Sequence, residues 1–212
     1  MSESTLLGIG IVVLTILISM TFHEAMHAFA SYWLGDDTAK LEGRLTLNPI
    51  KHIDPFLTLG LPILLALTNG PILGAAKPVP FNPHRVRGGE YGAALVGIAG
   101  PLTNLLLALT AAGIFRIAAI ESSMLAYDVF LLFIRVNLSF FVFNMIPFPP
   151  LDGSRLLYAF APEPIQNVMQ QIESYGLIGF IIFFFLFFGT IGAIVAQLVN
   201  SLMNILVASP LI

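Results

Sequence analysis

Four or five apolar stretches, most of them long enough to cross a bilayer, constrain this chain more than any other feature. They occupy residues 6–34, 56–73, 91–119, 127–147 and 175–207, and a spanning helix needs about 20 such residues. Of the 212 residues, 57% are hydrophobic and only 10% charged, against roughly 25% charged in a soluble domain. A chain of this composition cannot cover itself with polar surface. The expectation is an all-α polytopic membrane protein of about four to six transmembrane helices, a single integral-membrane unit over residues 1–212. Its core is expected over about residues 6–155 and its C-terminal helices over about 173–209. The net charge of −3 excludes a basic nucleic-acid-binding surface, and the absence of cysteine excludes disulfides and thiol chemistry. The first apolar run leads into polar residues rather than a small-residue cleavage site, so it does not read as a signal peptide.

Between the apolar runs the period changes. Residues 39–47 alternate apolar and polar, which predicts a half-buried strand ended by Asn48-Pro49. The stretch Lys77-Pro78-Val79-Pro80-Phe81-Asn82-Pro83 carries three prolines and reads as an edge strand or a loop. Together these predict a small membrane-associated β-strand or hairpin region. The run 56–73 is broken by Pro62 and by Asn69-Gly70-Pro71. The run 175–207 is too long for one untilted span, and reads either as one tilted helix or as two pieces broken near Gly189 and Gly192.

Within the first apolar run stands His23-Glu24-Ala25-Met26-His27. On a helix, side chains four apart share one face, a turn from each other. Two imidazoles so placed can ligate one tetrahedral zinc, while the neighbouring Glu24 can take a proton from a water that the metal activates. A charged residue in a spanning helix costs roughly 2.5–3.5 kcal/mol and is functional by default. A structural polar patch would account for one such residue, but not for three at metal-ligand spacing.

A hydrolytic zinc site needs a third protein ligand and an open position. His52 and His84 lie in loops among prolines and charges, whereas Asp152 follows the proline-broken end of the fourth run, Asn144-Met145-Ile146-Pro147-Phe148-Pro149-Pro150-Leu151-Asp152-Gly153. Opened backbone at membrane depth survives only where it lines a cavity or is buried in protein. On the sequence physics, Asp152 is equally a metal ligand or the N-cap of a following helix.

HEAMH, Gly100-Pro101-Leu102-Thr103-Asn104 in the third run and NMIPFPPLDG at the end of the fourth, in that order, resemble the site-2 proteases, which are intramembrane zinc metalloproteases. The resemblance extends from Thr21 to about Arg155 and is to the minimal form, without a PDZ module. It implies that His23, His27 and Asp152 ligate one zinc ion per chain and that Glu24 is the general base. It further implies that Asn144 holds substrate, and it brings Asn104 and Pro78, Val79, Pro80 and Phe81 into the substrate-binding set. Ser154 stands where the family often has a second glycine after Leu-Asp-Gly, one small residue for another. The implied partners are a transmembrane protein or peptide substrate and the lipid bilayer, with no nucleic acid.

If His27 and Asp152 meet at one metal, the first and fourth runs must point the same way, with one net return crossing between them. The shorter, broken run 56–73 is then expected to be re-entrant or shallow. This arrangement puts Lys40, Arg44, Lys51, Lys77, Arg85, Arg87 and Arg155 on one side and only Arg116 opposite. By the positive-inside rule the zinc lies nearer the cytoplasm and the N-terminus outside. Arg135, inside the fourth run, is expected to pair with Asp128 or to reach for an interface. Two rival functions use the same residues. One is a divalent-cation transporter, against which the chain shows no internal repeat. The other is a catalytically inactive relative that binds membrane helices, against which all four chemical residues are present.

Overall fold

The computed structural model describes residues 3–60, 76–120 and 124–207. Its helices are α1 (Glu3–Trp33), α2 (Thr38–Leu41), α3 (Gly89–Ile117), α4 (Leu125–Asn144), α5 (Gly153–Phe160), α6 (Glu163–Ser174) and α7 (Gly176–Val207). Four stretches, Leu6–Trp33, Gly89–Ile117, Leu125–Asn144 and Gly189–Val207, are long and apolar enough to cross a membrane, as a multi-pass membrane protein requires.

Helix α1 is built inside out. Thr15, Ser19, His23, His27 and Ser31 recur every fourth residue and are all buried. On the opposite faces Val13, Leu14, Ile18 and Phe22 are exposed. In water this helix would be amphipathic the wrong way round. In a bilayer its apolar faces meet lipid while the polar stripe is satisfied within the bundle. The partner of that stripe is α3, whose buried face is made largely of small residues, Gly92, Ala93, Gly97, Gly100, Ala108, Ala111 and Ala112. Small residues let helix backbones approach closely where no hydrophobic effect drives association. Away from the polar stripe, Ala108, Ala111 and Ala112 of α3, Ile134, Leu138 and Val142 of α4, and Val199 and Met203 of α7 form one apolar cluster.

Residue pairs fix the directions of the helices. Along α1, His27 meets Val96 and Ser19 meets Asn104, so α1 and α3 run antiparallel. Ser19 meets Asn137 and the His23 ring lies 6.4 Å from that of Phe140, so α1 and α4 run parallel. Helix α3 therefore makes the return crossing required by the two halves of the motif. The segment 61–75, which holds most of the expected re-entrant run, lies outside the described residues; before it Pro55–Gly60 forms a single wide helical turn.

The expected strand over 39–47 does not form, and no strand occurs among the described residues. Thr38–Leu41 winds into a helical turn, Gly43 takes a positive φ of 65°, and the Arg44 N–H returns to the Ala39 carbonyl at 2.8 Å. Alternation alone cannot hold a strand that has no partner to complete its ladder; here the turn buries Ala39 and Arg44 while Lys40 and Leu41 face out. Residues 76–82 take no regular secondary structure, so of the two readings of this stretch the loop is the one realised. Residues 175–207 yield one continuous helix from Gly176, unbroken at Gly189 or Gly192. Arg135 makes no ion pair with Asp128 in the described contacts; its Nη1 donates to Asn200 Oδ1 of α7 at 2.9 Å.

Candidate metal centre

The chain brings His23, His27 and Asp152 together. His23 Nε2 lies 3.1 Å from His27 Nε2 and 3.1 Å from Asp152 Oδ2, and His27 Nε2 lies 3.4 Å from the same oxygen. Ligands about 2.0–2.1 Å from a tetrahedral zinc stand about 3.3 Å from one another, so the three atoms already describe one face of such a site. Both histidines are 7% exposed.

The remaining ring nitrogens decide the chemistry. His23 Nδ1 is 2.6 Å from Asn104 Oδ1, and His27 Nδ1 is 2.8 Å from the Val96 carbonyl. Both partners are acceptors, because the Asn104 amide nitrogen is engaged elsewhere, so each Nδ1 carries the proton. Each Nε2 is thereby left to face the other and the carboxylate oxygen, and in the neutral ring it has a lone pair for a metal. A cation placed among these three atoms would be ligated by all of them at once. The residues present therefore fit a divalent metal.

Asn104 is fully buried, and its Nδ2 donates to the Ser19 carbonyl at 3.1 Å and to Asn137 Oδ1 at 2.9 Å. Asn137 Nδ2 donates in turn to Ser19 Oγ at 2.9 Å and to the Phe133 carbonyl. A closed polar network of this kind fixes a ligand's tautomer and ring plane. Asn104, expected among the substrate contacts, thus stands behind His23. Gly100 is required beside it: a Cβ there would sit against both Nε2 atoms, 2.7 Å from that of His23.

Asp152 occupies the N-cap position of α5 but makes no capping hydrogen bond; its carboxylate turns to the two histidines instead. The tight return after α4 depends on Gly153, whose Cβ position is filled by the Met145 carbonyl. Asn144 closes α4 with its Nδ2 on the Phe140 carbonyl at 3.0 Å and makes no described contact with the three ligand atoms.

Glu24 points to the 77–83 stretch, where its Oε2 accepts the Val79 N–H at 3.1 Å. Several bonds pin that strap. Lys77 N donates to the His52 carbonyl, Arg44 Nη2 to the Lys77 carbonyl, and Asn82 N to Asp36 Oδ2 at 2.7 Å. Phe81 lies under the Arg155 guanidinium, 5.9 Å from ring centre to Cζ. Pro78 and Pro80 have no N–H to give. Burial alone would raise the pKa of the Asp36 carboxyl, but bonds from Thr38 and Asn82 and the charge of Arg85 outweigh it and hold it below the usual carboxylate range. His52 is buried and structural, with Nε2 on the Thr46 carbonyl at 2.8 Å, while His84 is exposed.

Ser19 and Asn137 were not singled out from the sequence, where Gly100 and Arg44 figured only as part of a motif and as one of the cations. Ser19 lies one turn before His23 on the same face, and Asn137 is a polar residue inside a spanning run, so both were visible as buried polar positions in principle.

The family model described as Peptidase family M50 matches residues 110–189, which contain Asn137, Asn144 and Asp152. The chain is 41% identical over 181 residues to YwhC of Bacillus subtilis (strain 168), a protein provisionally named a zinc metalloprotease, covering 81% of this chain and 78% of that one. It is 31% identical over 175 residues to Rip2 of Mycolicibacterium smegmatis, covering 80% of this chain and 66% of the relative. With Rip2 of Mycobacterium tuberculosis (strain H37Rv) the identity is 32% over 171 residues, 79% and 64% of the two chains. Both Rip2 proteins carry the same provisional zinc metalloprotease name. No solved structure matches.

Proposed function

Because this chain belongs to peptidase family M50, the site-2 protease family, we propose that it is an intramembrane zinc metalloendopeptidase, hydrolysing peptide bonds within or near transmembrane segments of other membrane proteins. The observation that carries this reading is the meeting of two imidazole Nε2 atoms and one carboxylate oxygen within 3.1–3.4 Å, with a second carboxylate, Glu24, on the residue after His23 in the same helix. His23, His27 and Asp152 hold one zinc ion per chain. When bound, zinc supplies Lewis acidity, lowering the pKa of a water towards about 7 and polarising the scissile carbonyl.

The chain's own groups do the rest. Glu24 accepts a proton from the attacking water and returns it to the leaving amine. Asn104 keeps the His23 Nδ1–H in place so that Nε2 faces the metal. Asn144 holds the substrate, and the Pro78-Val79-Pro80-Phe81 strap lies along it. The substrate is a transmembrane protein or peptide, which reaches the site from the lipid bilayer. The described residues carry no PDZ module, in keeping with the minimal core form. Because α1 and α4 run parallel, Lys40, Lys51, Lys77, Arg85, Arg87 and Arg155 gather at the metal end and Arg116 at the other. This supports an active site nearer the cytoplasm with the N-terminus outside.

The test is zinc content and cleavage of a reporter transmembrane substrate by detergent-purified protein. Wild type should hold stoichiometric zinc and cleave. Glu24→Gln should hold zinc without cleaving, and Asp152→Ala should lose zinc. Normal cleavage by Glu24→Gln, or a wild type that takes up no zinc, would sink the proposal; transport that survives Glu24→Gln would favour a cation carrier.

A further inference from the structure

We propose that Arg44 is a substrate-binding residue: its guanidinium donates hydrogen bonds to main-chain carbonyl oxygens of the unwound peptide beside the metal centre. The inference rests on the protease reading above and names the group that would receive the substrate backbone.

The Arg44 side chain is 3% exposed. Its Nη2 donates to the Lys77 carbonyl at 2.5 Å and lies 3.5 Å from His52 Nδ1. Its Nε and Nη1 are buried and have no hydrogen-bond partner among the described residues. Those two nitrogens carry three N–H bonds, and no carboxylate pairs with the guanidinium at salt-bridge distance among the described residues. Burying a cation without a counter-charge in contact costs several kcal/mol, which the bonds of Nη2 to the Lys77 carbonyl and, at 3.5 Å, to His52 Nδ1 do not offset. Burial accordingly presses its pKa down, with the charges of Glu24 and Glu42 pulling the other way. A group kept at that cost, with donors unused, is complementary to an oxygen acceptor, which reaches it when the incoming peptide displaces what covers it.

The strap itself cannot meet that need. Between residues 77 and 83 the prolines at 78, 80 and 83 have no N–H, and those of Lys77, Val79 and Asn82 are spent on the His52 carbonyl, Glu24 and Asp36. Only Phe81 remains as a donor, so a peptide laid along this edge finds carbonyls and almost no N–H groups. The peptide's own carbonyls, freed when its helix unwinds, would be orphaned at membrane depth, at several kcal/mol each. Arg44 has donors to spare for them. It grips the carbonyl of Lys77, and two residues on, at about 3.3–3.6 Å per residue, the Val79 N–H meets the general base. Donor and base therefore flank the same short piece of strap.

The experiment uses the full chain, zinc-loaded, in the non-cleaving Glu24→Gln background. The affinity of a fluorescent leucine–alanine spanning peptide with a central Asn-Gly pair is measured in detergent micelles. Single thioamides, which accept hydrogen bonds poorly, are then placed one at a time around the pair. With Arg44 present, one or two positions should lose affinity about ten-fold. Arg44→Lys should weaken the all-amide peptide about ten-fold and abolish the further loss at those positions, as in a double-mutant cycle. Zinc content reports whether each variant is folded. If Arg44→Lys loses zinc, Arg44→Gln, whose amide can still bond the Lys77 carbonyl, is read the same way. Thioamide losses that are equal with and without Arg44 overturn the proposal, as does undiminished binding by the variants. Cleavage by wild type, measured in parallel, separates the two failures: Arg44-independent binding with normal cleavage removes only this proposal, whereas absent cleavage removes the hydrolase beneath it.

Discussion

Replacing Asn104 by alanine isolates how far the metal centre depends on a residue that never touches the metal. The Asn104 amide accepts from His23 Nδ1 at 2.6 Å and donates to the Ser19 carbonyl at 3.1 Å and to Asn137 Oδ1 at 2.9 Å. In Asn104→Ala the Ser19 carbonyl keeps its helical bond, but the His23 Nδ1–H and Asn137 Oδ1 are orphaned in a fully buried pocket. Each such group costs about 1–3 kcal/mol, so the folded state should lose about 2–6 kcal/mol before any relaxation. Freed to rotate or to change tautomer, His23 becomes a poorer ligand. Loss of a partner of this kind lowers metal affinity about 10–100-fold, or about 1.4–2.8 kcal/mol. Asn104→Asp keeps an acceptor against Nδ1 while losing both donors, so it should hold zinc within about three-fold of wild type although it unfolds more easily. Competition against a chelator of known affinity, in detergent, gives the zinc constants, and thermal unfolding gives the stabilities. Wild-type zinc affinity in Asn104→Ala would falsify the claim that this amide orients His23, whatever happened to stability.

Gly100→Ala should abolish zinc binding while leaving helix content intact, since its methyl would stand 2.7 Å from His23 Nε2 within the ligand cluster; circular dichroism and metal analysis read the two together, and retained zinc would contradict the packing. Stripping zinc from wild type should lower its thermal stability, because a ligand at 100 times its dissociation constant contributes about 2.7 kcal/mol; an unchanged melting temperature after chelation would mean the site is not loaded. Asp36 accepts from Thr38 N at 3.1 Å, Thr38 Oγ1 at 2.5 Å and Asn82 N at 2.7 Å, and its folded pKa is lowered. Its stabilisation is therefore complete above the ordinary Asp value of about 3.9 and is lost as pH falls through the folded pKa. Asp36→Asn should be about 1–3 kcal/mol less stable than wild type at pH 7, the gap closing only below about pH 4; a gap that widens on acidification would reverse the sign.

Much of the site was legible because its chemistry is local or rests on a short motif. His23, Glu24 and His27 lie within one turn and a residue, so helix periodicity alone puts both imidazoles on one face. Asp152 was different. Proline-broken backbone at the end of an apolar run marked it as unusual, yet ligand and helix cap were equal on sequence physics, and what separated them was the direction of one carboxylate across the bundle. The parallel run of α1 and α4 could be argued from the need for the two motif halves to meet, because membrane crossings come in alternating directions.

Tertiary contact settled the remainder. The alternation over 39–47 did not become a strand, since a strand is stabilised by its neighbour and none is there. Arg135 found Asn200, a residue 65 positions away, rather than the acid two turns along its own helix. The place of Asn104 behind His23 was not legible either, because it depends on α3 laying the residue against Ser19 and Asn137 from two other helices. The sequence by itself determined that this chain is a multi-pass membrane protein and which turn of helix carries two of its candidate metal ligands, because apolar length and four-residue spacing are properties of neighbours in the chain. Only the tertiary structure decided which way Asp152 turns, what orients His23 and which donors are left over at Arg44, because hydrogen bonds and burial between distant segments depend on how the helices pack.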